Sequence, residues 1–152
     1  MSEEVLELQK MIEDFSNLNI KEREGATFLE IIKKASSENI WSNILAFYFD
    51  PNQEHKLSDL VLKSFFQTFQ HKTPLKTYSN IQIHTEYLTD KGNRIDIVII
   101  SDAFVVGIEN KVNAKLDNDL EDYSETLKDL AKGGQLDIYQ ILLTKYRMGD
   151  QR

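Results

Sequence analysis

The chain contains no cysteine, and its 152 residues include only two prolines, six glycines and one tryptophan. The absence of cysteine excludes disulfides, thiolate catalysis and cysteine-based zinc sites, and it favours a reducing, cytoplasmic compartment. No apolar run approaches the length of a membrane span, and the start, MSEEVLELQK, lacks the basic-then-apolar pattern of a secretory signal. The sequence therefore predicts one domain of ordinary size, with a real hydrophobic core and no membrane segment.

Positive charge is also scarce, because 18 Lys and Arg face 25 Asp and Glu and the formal net charge is −7. A protein that coats nucleic acid by neutralising phosphates is usually basic, so the balance argues against that class. It argues less against an enzyme, since a bound cation reverses the sign of the charge inside a site.

Hydrophobic periodicity changes once along the chain, from helical in the first half to strand-like in the second. Helices are predicted over residues 3–18, near 28–32, from Ser36 or Ser37 to about Phe49, and over 56–69 with Leu57, Leu60, Val61, Phe65 and Phe69 on one side. Strands follow over 77–88, 94–100 and 104–111, then a helix over 114–134 and a buried strand in DIYQILLTKY. The order indicates an α/β fold with a mixed sheet, in which 1–36 is a helical segment and 37–152 is the core.

The stretch RIDIVIISDAFVVGIENK predicts a hairpin with charged residues at its open end. With a turn centred on Asp102 and Ala103, paired residue numbers add up to 205, so Asp96 faces Glu109 and Arg94 faces Lys111. Lys111 shares the face of Glu109 because the two are two residues apart. Five apolar residues point to the other face: Ile95, Ile97, Ile99, Val106 and Ile108.

Side chains at directly opposed strand positions lie about 5 Å apart at Cβ. Two carboxylates at that distance repel each other unless a cation lies between them. Mg²⁺ or Mn²⁺, with oxygen ligands and several waters, would satisfy both, and Lys111 could orient or help deprotonate a metal-bound water. These groups are the ones that phosphodiester hydrolysis needs. The plainer interpretation is a structural ion pair of Asp96 or Glu109 with Lys111 or Arg94.

The segments RIDIVI and IENK, about a dozen residues apart, resemble the PD-(D/E)XK nuclease superfamily, and SENIWSNILAFYFDPNQEHKLSDLVLKSFF is similar to the helical lead-in of one branch. The resemblance covers about Glu38 to Tyr146. It implies a restriction-endonuclease-like αβββαβ core, here with extra N-terminal helices. It further implies that Asp96 and Glu109 bind the metal, that the Asn110 carbonyl adds a ligand, and that Lys111 positions the water. Glu38 matches a helical acid of such sites, and Glu86 an acid on the first strand.

The expected substrate is nucleic acid, with DNA favoured, and a homodimer or a specificity partner fits the family. Asp119 stands where the branch usually has Gln, which leaves a non-catalytic interaction module on the same fold as the alternative. Glu38 and Arg94 each have a second interpretation. The charge of Glu38 also favours the start of its helix by itself. Arg94 could contact phosphate or pair with Asp96, and the pairing is the safer expectation. The acidic run that includes Asp119, Glu121, Asp122 and Glu125 is expected to be a solvated helix face. The chain ends soon after the last predicted strand, which suits a short domain or a truncated one.

Overall fold

The structure, a computed structural model, describes residues 10, 13, 17, 25–69, 78–112, 119–132 and 135–144, with the side chain of Phe69 excepted. The chain divides into two compact units, Met1–Ile32 and Lys33–Arg152. Most of the helix predicted over 3–18 lies outside the described residues. The first unit contains the short helix α1, Phe28–Ile31, which begins with a capping box between Thr27 and Glu30. No helix among the described residues is long and apolar enough to cross a membrane.

The second unit is built on a four-stranded sheet in the order β1-β2-β3-β4. The strands are β1 (Gln82–Leu88), β2 (Arg94–Ile100), β3 (Phe104–Lys111) and β4 (Asp137–Thr144). β1, β2 and β3 pair antiparallel in sequence order, while β4 pairs parallel to β3. This topology confirms the predicted mixed sheet and the βαβ connection at its end.

In the described part of the chain, the helices that cover the sheet are α2 (Glu38–Phe49), α3 (Leu60–Phe69) and α4 (Leu120–Leu130). α2 packs across β1, β2 and β3, whereas α4 packs across β3 and β4. Two clusters of buried side chains result. One joins Phe49, Leu62 and Phe66 to Ile97, Ile99, Val106 and Ile108, and the other joins Tyr123, Leu127 and Ala131 to Ile95, Val98 and Val105. Along the chain, α2 and α3 are followed by β1, β2 and β3, and then by α4 and β4. This order contains the expected αβββαβ core.

The register of the β2–β3 hairpin is the predicted one, since Ile97 pairs with Ile108 and Ile100 with Val105. The turn is held by Ser101, whose hydroxyl oxygen accepts from the N–H groups of Ala103 and Phe104 at 3.1 and 2.9 Å. The backbone N–H of Ser79 donates to Asp102 Oδ1 at 2.6 Å and fixes the same turn from outside. Local hydrogen bonds thus select the two-residue turn that sets the register.

Ile95 was expected beside Ile97 and Ile99, but it is buried in the α4-side cluster with Val98. This change of side along β2 coincides with a break in the β1–β2 ladder. The ladder pairs Thr85 with Ile97 and Tyr87 with Ile95 but skips the residues between them. Glu86 and Asp96, which lie between those pairs, are not paired with each other. Glu86 has φ +54°, in the left-handed region, and a residue there cannot continue the pleat of a strand.

Two further expectations about side-chain direction were wrong. α3 begins at Leu60 and buries Leu62 and Phe66, whereas Leu57 and Leu60 are exposed. Of the predicted apolar side, Val61 and Phe65 do pack against the core. Asp122 is buried rather than solvated, and it accepts hydrogen bonds from the Thr89 hydroxyl at 2.6 Å and the Asn93 amide at 2.7 Å. A buried carboxylate is tolerated where donors of this kind surround it.

Candidate active site

The site forms where the β2–β3 ladder ends, one residue beyond the Ile97–Ile108 pair. There the backbone N–H of Asn110 donates to Asp96 Oδ2 at 2.7 Å. The Asp96 side chain therefore takes the place of a ladder carbonyl and is held against β3. This contact joins Asp96 to the Glu109–Asn110–Lys111 segment. The ladder itself ends at the Ile97–Ile108 pair, so the predicted pairs Asp96–Glu109 and Arg94–Lys111 are not part of it.

Lys111 is the cation at the centre of the site. Its Nζ lies 2.7 Å from Glu109 Oε1 and 3.7 Å from Glu38 Oε2. Burial alone would lower the pKa of Lys111, but the bond to Glu109 and the nearby charges of Glu38 and Asp96 outweigh it, so the pKa is raised. Lys111 is therefore an ammonium at neutral pH, and it can orient a water or stabilise negative charge rather than accept a proton.

Glu109 is almost completely buried, with 4% of its surface exposed. Only one of its carboxylate oxygens is satisfied, because Oε2 is buried and has no hydrogen-bond partner within the described part of the chain. Burial raises the pKa of Glu109 and repulsion from Asp96 adds to the rise, while the bond to Lys111 opposes it. An orphaned buried oxygen is costly and calls for an explanation, such as an ion that the site binds.

Asp96 has a raised pKa for the same main reason, its burial. The Asn110 N–H and the charge of Lys111 lower that pKa, whereas the charges of Glu86 and Glu38 raise it further. Asp96 and Glu109 thus lie in one electrostatic cluster, in which a positive ion would relieve both desolvation and repulsion.

Glu38 is the first residue of α2 and reaches the end of β3 from the other layer of the fold. Its Oε1 accepts a hydrogen bond from the backbone N–H of Val112 at 2.9 Å. Asn110 strengthens this connection, because its side-chain amide lies 3.4 Å from the Glu38 carbonyl and 3.4 Å from Ser42 Oγ. Glu38 therefore contacts the strand that carries Glu109 and Lys111, beyond any effect on its own helix start.

The amide of Asn110 and the hydroxyl of Ser42 were not predicted to matter. Both are buried polar residues, and each has a sequence signal that could have been used. Ser42 lies four residues after Glu38 on the inner face of an otherwise apolar helix, and Asn110 lies inside a strand of apolar residues.

Glu86 and Arg94 form an ion pair with each other. The pairing of Arg94 with Asp96, which seemed the safer expectation, is not the one observed. Glu86 still belongs to the electrostatic surroundings of Asp96, because its charge raises the pKa of Asp96. Its left-handed backbone, φ +54°, is a strained conformation of the kind that concentrates at functional sites.

Asp119 is the N-cap of α4, where its Oδ1 accepts from the backbone N–H of Asp122 at 3.0 Å. Asp is among the best residues for this position, so the departure from Gln has a local structural reason. A glutamine does approach the site from elsewhere. Gln140 on β4 donates from Nε2 to the Leu120 carbonyl at 3.2 Å, next to Glu109.

The described residues contain no group of three or more His, Cys, Asp or Glu arranged to hold a metal ion. Mg²⁺, however, commonly binds through one or two carboxylates and keeps several waters. Asp96, the free Oε2 of Glu109 and a backbone carbonyl are oxygen donors of that type. The donor set and the orphaned oxygen therefore fit a hard divalent cation.

Comparison with known proteins gives the family of the chain. A family profile described as the PD-(D/E)XK nuclease superfamily matches residues 26–151. Because the match covers most of the sequence, the chain belongs to the PD-(D/E)XK nuclease superfamily.

The individual comparisons are weaker than the family match. No curated protein sequence matches the chain significantly. Among solved structures, the chain is similar to the small subunit of the heterodimeric restriction endonuclease R.BspD6I, with 21% identity and a TM-score of 0.30. That alignment covers 68% of this chain and 59% of the other, so this chain spans somewhat more than half the length of the subunit.

Proposed function

We propose that the chain is a metal-dependent nuclease that hydrolyses phosphodiester bonds, with DNA as substrate and Mg²⁺ or Mn²⁺ as cofactor. The proposed catalytic core is residues 37–152, with residues 1–36 as an additional helical segment. The observation that carries the proposal is the unpartnered, buried Oε2 of Glu109 beside Asp96 and Lys111. Family membership supports the reaction class.

In this proposal Asp96, Glu109 and the Asn110 carbonyl hold the ion. A bound divalent ion lowers the pKa of a water ligand and neutralises charge that develops on a phosphoryl oxygen. Lys111 keeps its proton, orients the attacking water and stabilises the growing negative charge. Glu38 positions Lys111 and the end of β3, and Arg94, 62% exposed, is the candidate for a contact to substrate phosphate.

The direct test is cleavage of supercoiled plasmid and of single-stranded oligonucleotides with Mg²⁺ or Mn²⁺. We expect Asp96→Asn and Lys111→Met each to lower the rate by about 10²-fold or more, the usual cost of removing one preorganised electrostatic group. Lys63→Ala is the matched control, since Lys63 is an exposed lysine on α3 that pairs with Asp59, just before that helix. Equal rates in the wild type and in both site variants would refute the proposal.

One observation favours the alternative, a non-catalytic module on the same fold. Lys111 already neutralises one oxygen of Glu109, as a structural ion pair would. A wild-type protein that cuts neither substrate, and whose melting temperature does not respond to Mg²⁺ or Mn²⁺, would establish this alternative.

A further inference from the structure

A pocket of about 220 Å³ lies directly beside the candidate active site, between the sheet and the start of α4. Its walls include Gly107 and Glu109 on β3, Gln140 and Leu142 on β4, and Leu120 and Tyr123 on α4. Gly107 pairs with Gln140 and Glu109 with Leu142 in the parallel ladder, so the floor is formed by two neighbouring pairs. Because Glu109 is part of both the pocket wall and the candidate active site, a ligand in the pocket would lie next to Asp96 and Lys111 as well.

Among the described wall residues, three side chains carry polar atoms: Glu109, Gln140 and Tyr123. Gln140 is oriented by its bond to the Leu120 carbonyl, and its amide oxygen and second N–H make no hydrogen bond to the described residues. It can therefore offer one acceptor and one donor to a ligand. Tyr123 contributes ring surface rather than a polar group, since its hydroxyl already donates to the Arg94 carbonyl.

These features restrict what the pocket can accept. The described wall residues include no cation, so a free phosphate would meet the Glu109 carboxylate without a counter-charge from them. A lone metal ion would gain nothing from apolar walls. An aliphatic side chain of a protein partner would leave the polar atoms of Gln140 unpaired. The pocket is smaller than the roughly 300–1,000 Å³ of drug-sized ligand sites, which suits a single flat heterocycle.

We propose that this pocket receives one nucleobase of the substrate strand, next to the phosphodiester that is cut. The inference rests on the proposed nuclease function and specifies how the strand is held. The base packs against Leu120, Leu142 and the Tyr123 ring, and the Gln140 amide hydrogen-bonds its polar edge. Because the pocket is reached only by a base that has left its stack, single-stranded or locally opened DNA is the preferred substrate.

The test uses short single-stranded oligonucleotides with one 2-aminopurine at successive positions, bound in Ca²⁺ so that binding is measured without cutting. A parallel series carries one abasic nucleotide at the same positions and is cut in Mg²⁺. For the wild type we expect a fluorescence change at one position, and an abasic nucleotide at that position should slow cleavage about tenfold. The variants Gln140→Ala and Leu142→Trp should remove both effects, whereas Ile138→Trp, on the same strand outside the pocket wall, should retain them.

The outcomes separate this inference from the proposed function. If the wild type cuts but no position responds to 2-aminopurine or to base removal, the pocket inference is refuted while the nuclease stands. A response that survives unchanged in Leu142→Trp refutes it equally. A wild type that does not cut, yet shows the position-specific response that Leu142→Trp abolishes, keeps the base pocket and refutes the nuclease.

Discussion

Asp96 and Glu109 are held where carboxylates are electrostatically unfavourable, since burial is the main cause that raises the pKa of each. Repulsion from nearby acids adds to the rise, from Glu86 and Glu38 for Asp96, and from Asp96 and Glu38 for Glu109. A carboxyl group whose pKa is higher in the folded protein than in the unfolded chain binds more protons in the folded state. The metal-free protein should therefore lose stability as the pH rises through the raised pKa values. The site is thus a source of local instability that a bound cation would remove.

The first prediction concerns the thermal stability of the Asp96→Asn variant. The amide oxygen of Asn can still accept the Asn110 N–H, so the main contact remains while the charge is lost. We expect the metal-free variant to melt at the same or a higher temperature than the wild type at pH 7, and the difference to shrink as the pH falls. The Mg²⁺-induced increase in melting temperature should disappear. A metal-free variant that is clearly less stable at pH 7 would contradict this account.

A second prediction concerns the backbone of Glu86, whose φ of +54° is unfavourable for a residue with a Cβ. Glu86→Gly and Glu86→Ala both remove the exposed pair with Arg94, but only the glycine relieves the backbone strain. We expect Glu86→Gly to be more stable than Glu86→Ala by about 1 kcal/mol, measured by urea denaturation. Equal stability of the two variants would show that the left-handed conformation is not retained in solution.

At the scale of the elements, α4 approaches the sheet closely because β3 has no side chain at Gly107. A Cβ added there would lie 2.7 Å from Leu127 Cδ1, closer than van der Waals contact allows. Leu127 is fully buried, so it has little freedom to move away. The position of α4, and with it the pocket beside Glu109, depends on this contact.

The third prediction is that Gly107→Ala destabilises the protein by about 1–3 kcal/mol, as overpacking of a filled core does. In a Leu127→Ala background the same change should cost much less, because the clashing methyl groups are gone. The free energies of unfolding of the four proteins form a double-mutant cycle that isolates the contact. Additive effects of the two changes would show that the helix does not pack on Gly107.

The hairpin and its register could be predicted because charged and apolar residues alternate in a pattern that only one turn length satisfies. The order of strands and the parallel β4 followed from periodicity and the length of the crossover. The direction of a side chain was predictable only where a strand or helix keeps its regular period. Ile95 changes cluster beside the irregular Glu86–Asp96 position, and α3 begins later than the sequence suggests, so that Leu62 and Phe66 take the buried positions.

Other parts of the site depend on contacts between residues far apart in the chain. Asp122 looks solvated within its acidic run, yet Thr89 and Asn93 bury it from the β1–β2 turn, 33 and 29 residues away. Glu38 was a candidate from the resemblance alone, and its contacts with Val112 and Lys111 could not be read from the sequence. One sequence carries no local signal for such pairings.

At the scale of the whole molecule, the net charge of −7 opposes the approach of a polyanion. Close to the site, Asp96, Glu109, Glu38 and Glu86 add to this repulsion, while Lys111 is already paired. If the chain is the proposed nuclease, binding of DNA should therefore need the divalent cation as well as cleavage.

The fourth prediction is that DNA affinity depends on the cation. In fluorescence anisotropy, Ca²⁺ should strengthen binding of a short oligonucleotide by about tenfold or more relative to EDTA at the same ionic strength. The Glu109→Gln variant should lose this enhancement, and Asp59→Asn, a change to an acid on the loop before α3, should keep it. Binding of equal strength in EDTA would show that the charged site does not control the approach of DNA.

The placement of the reacting groups along the chain also has a consequence for folding. Asp96 and Asn110, which join the two strands, are 14 residues apart, whereas Glu38 and Val112 are 74 apart. Closing a short loop costs less entropy than closing a long one, so the hairpin can bring Asp96, Glu109 and Lys111 together early in folding. Glu38 joins them only when α2 docks on the sheet, so completion of the site should depend on the less local of these two contacts.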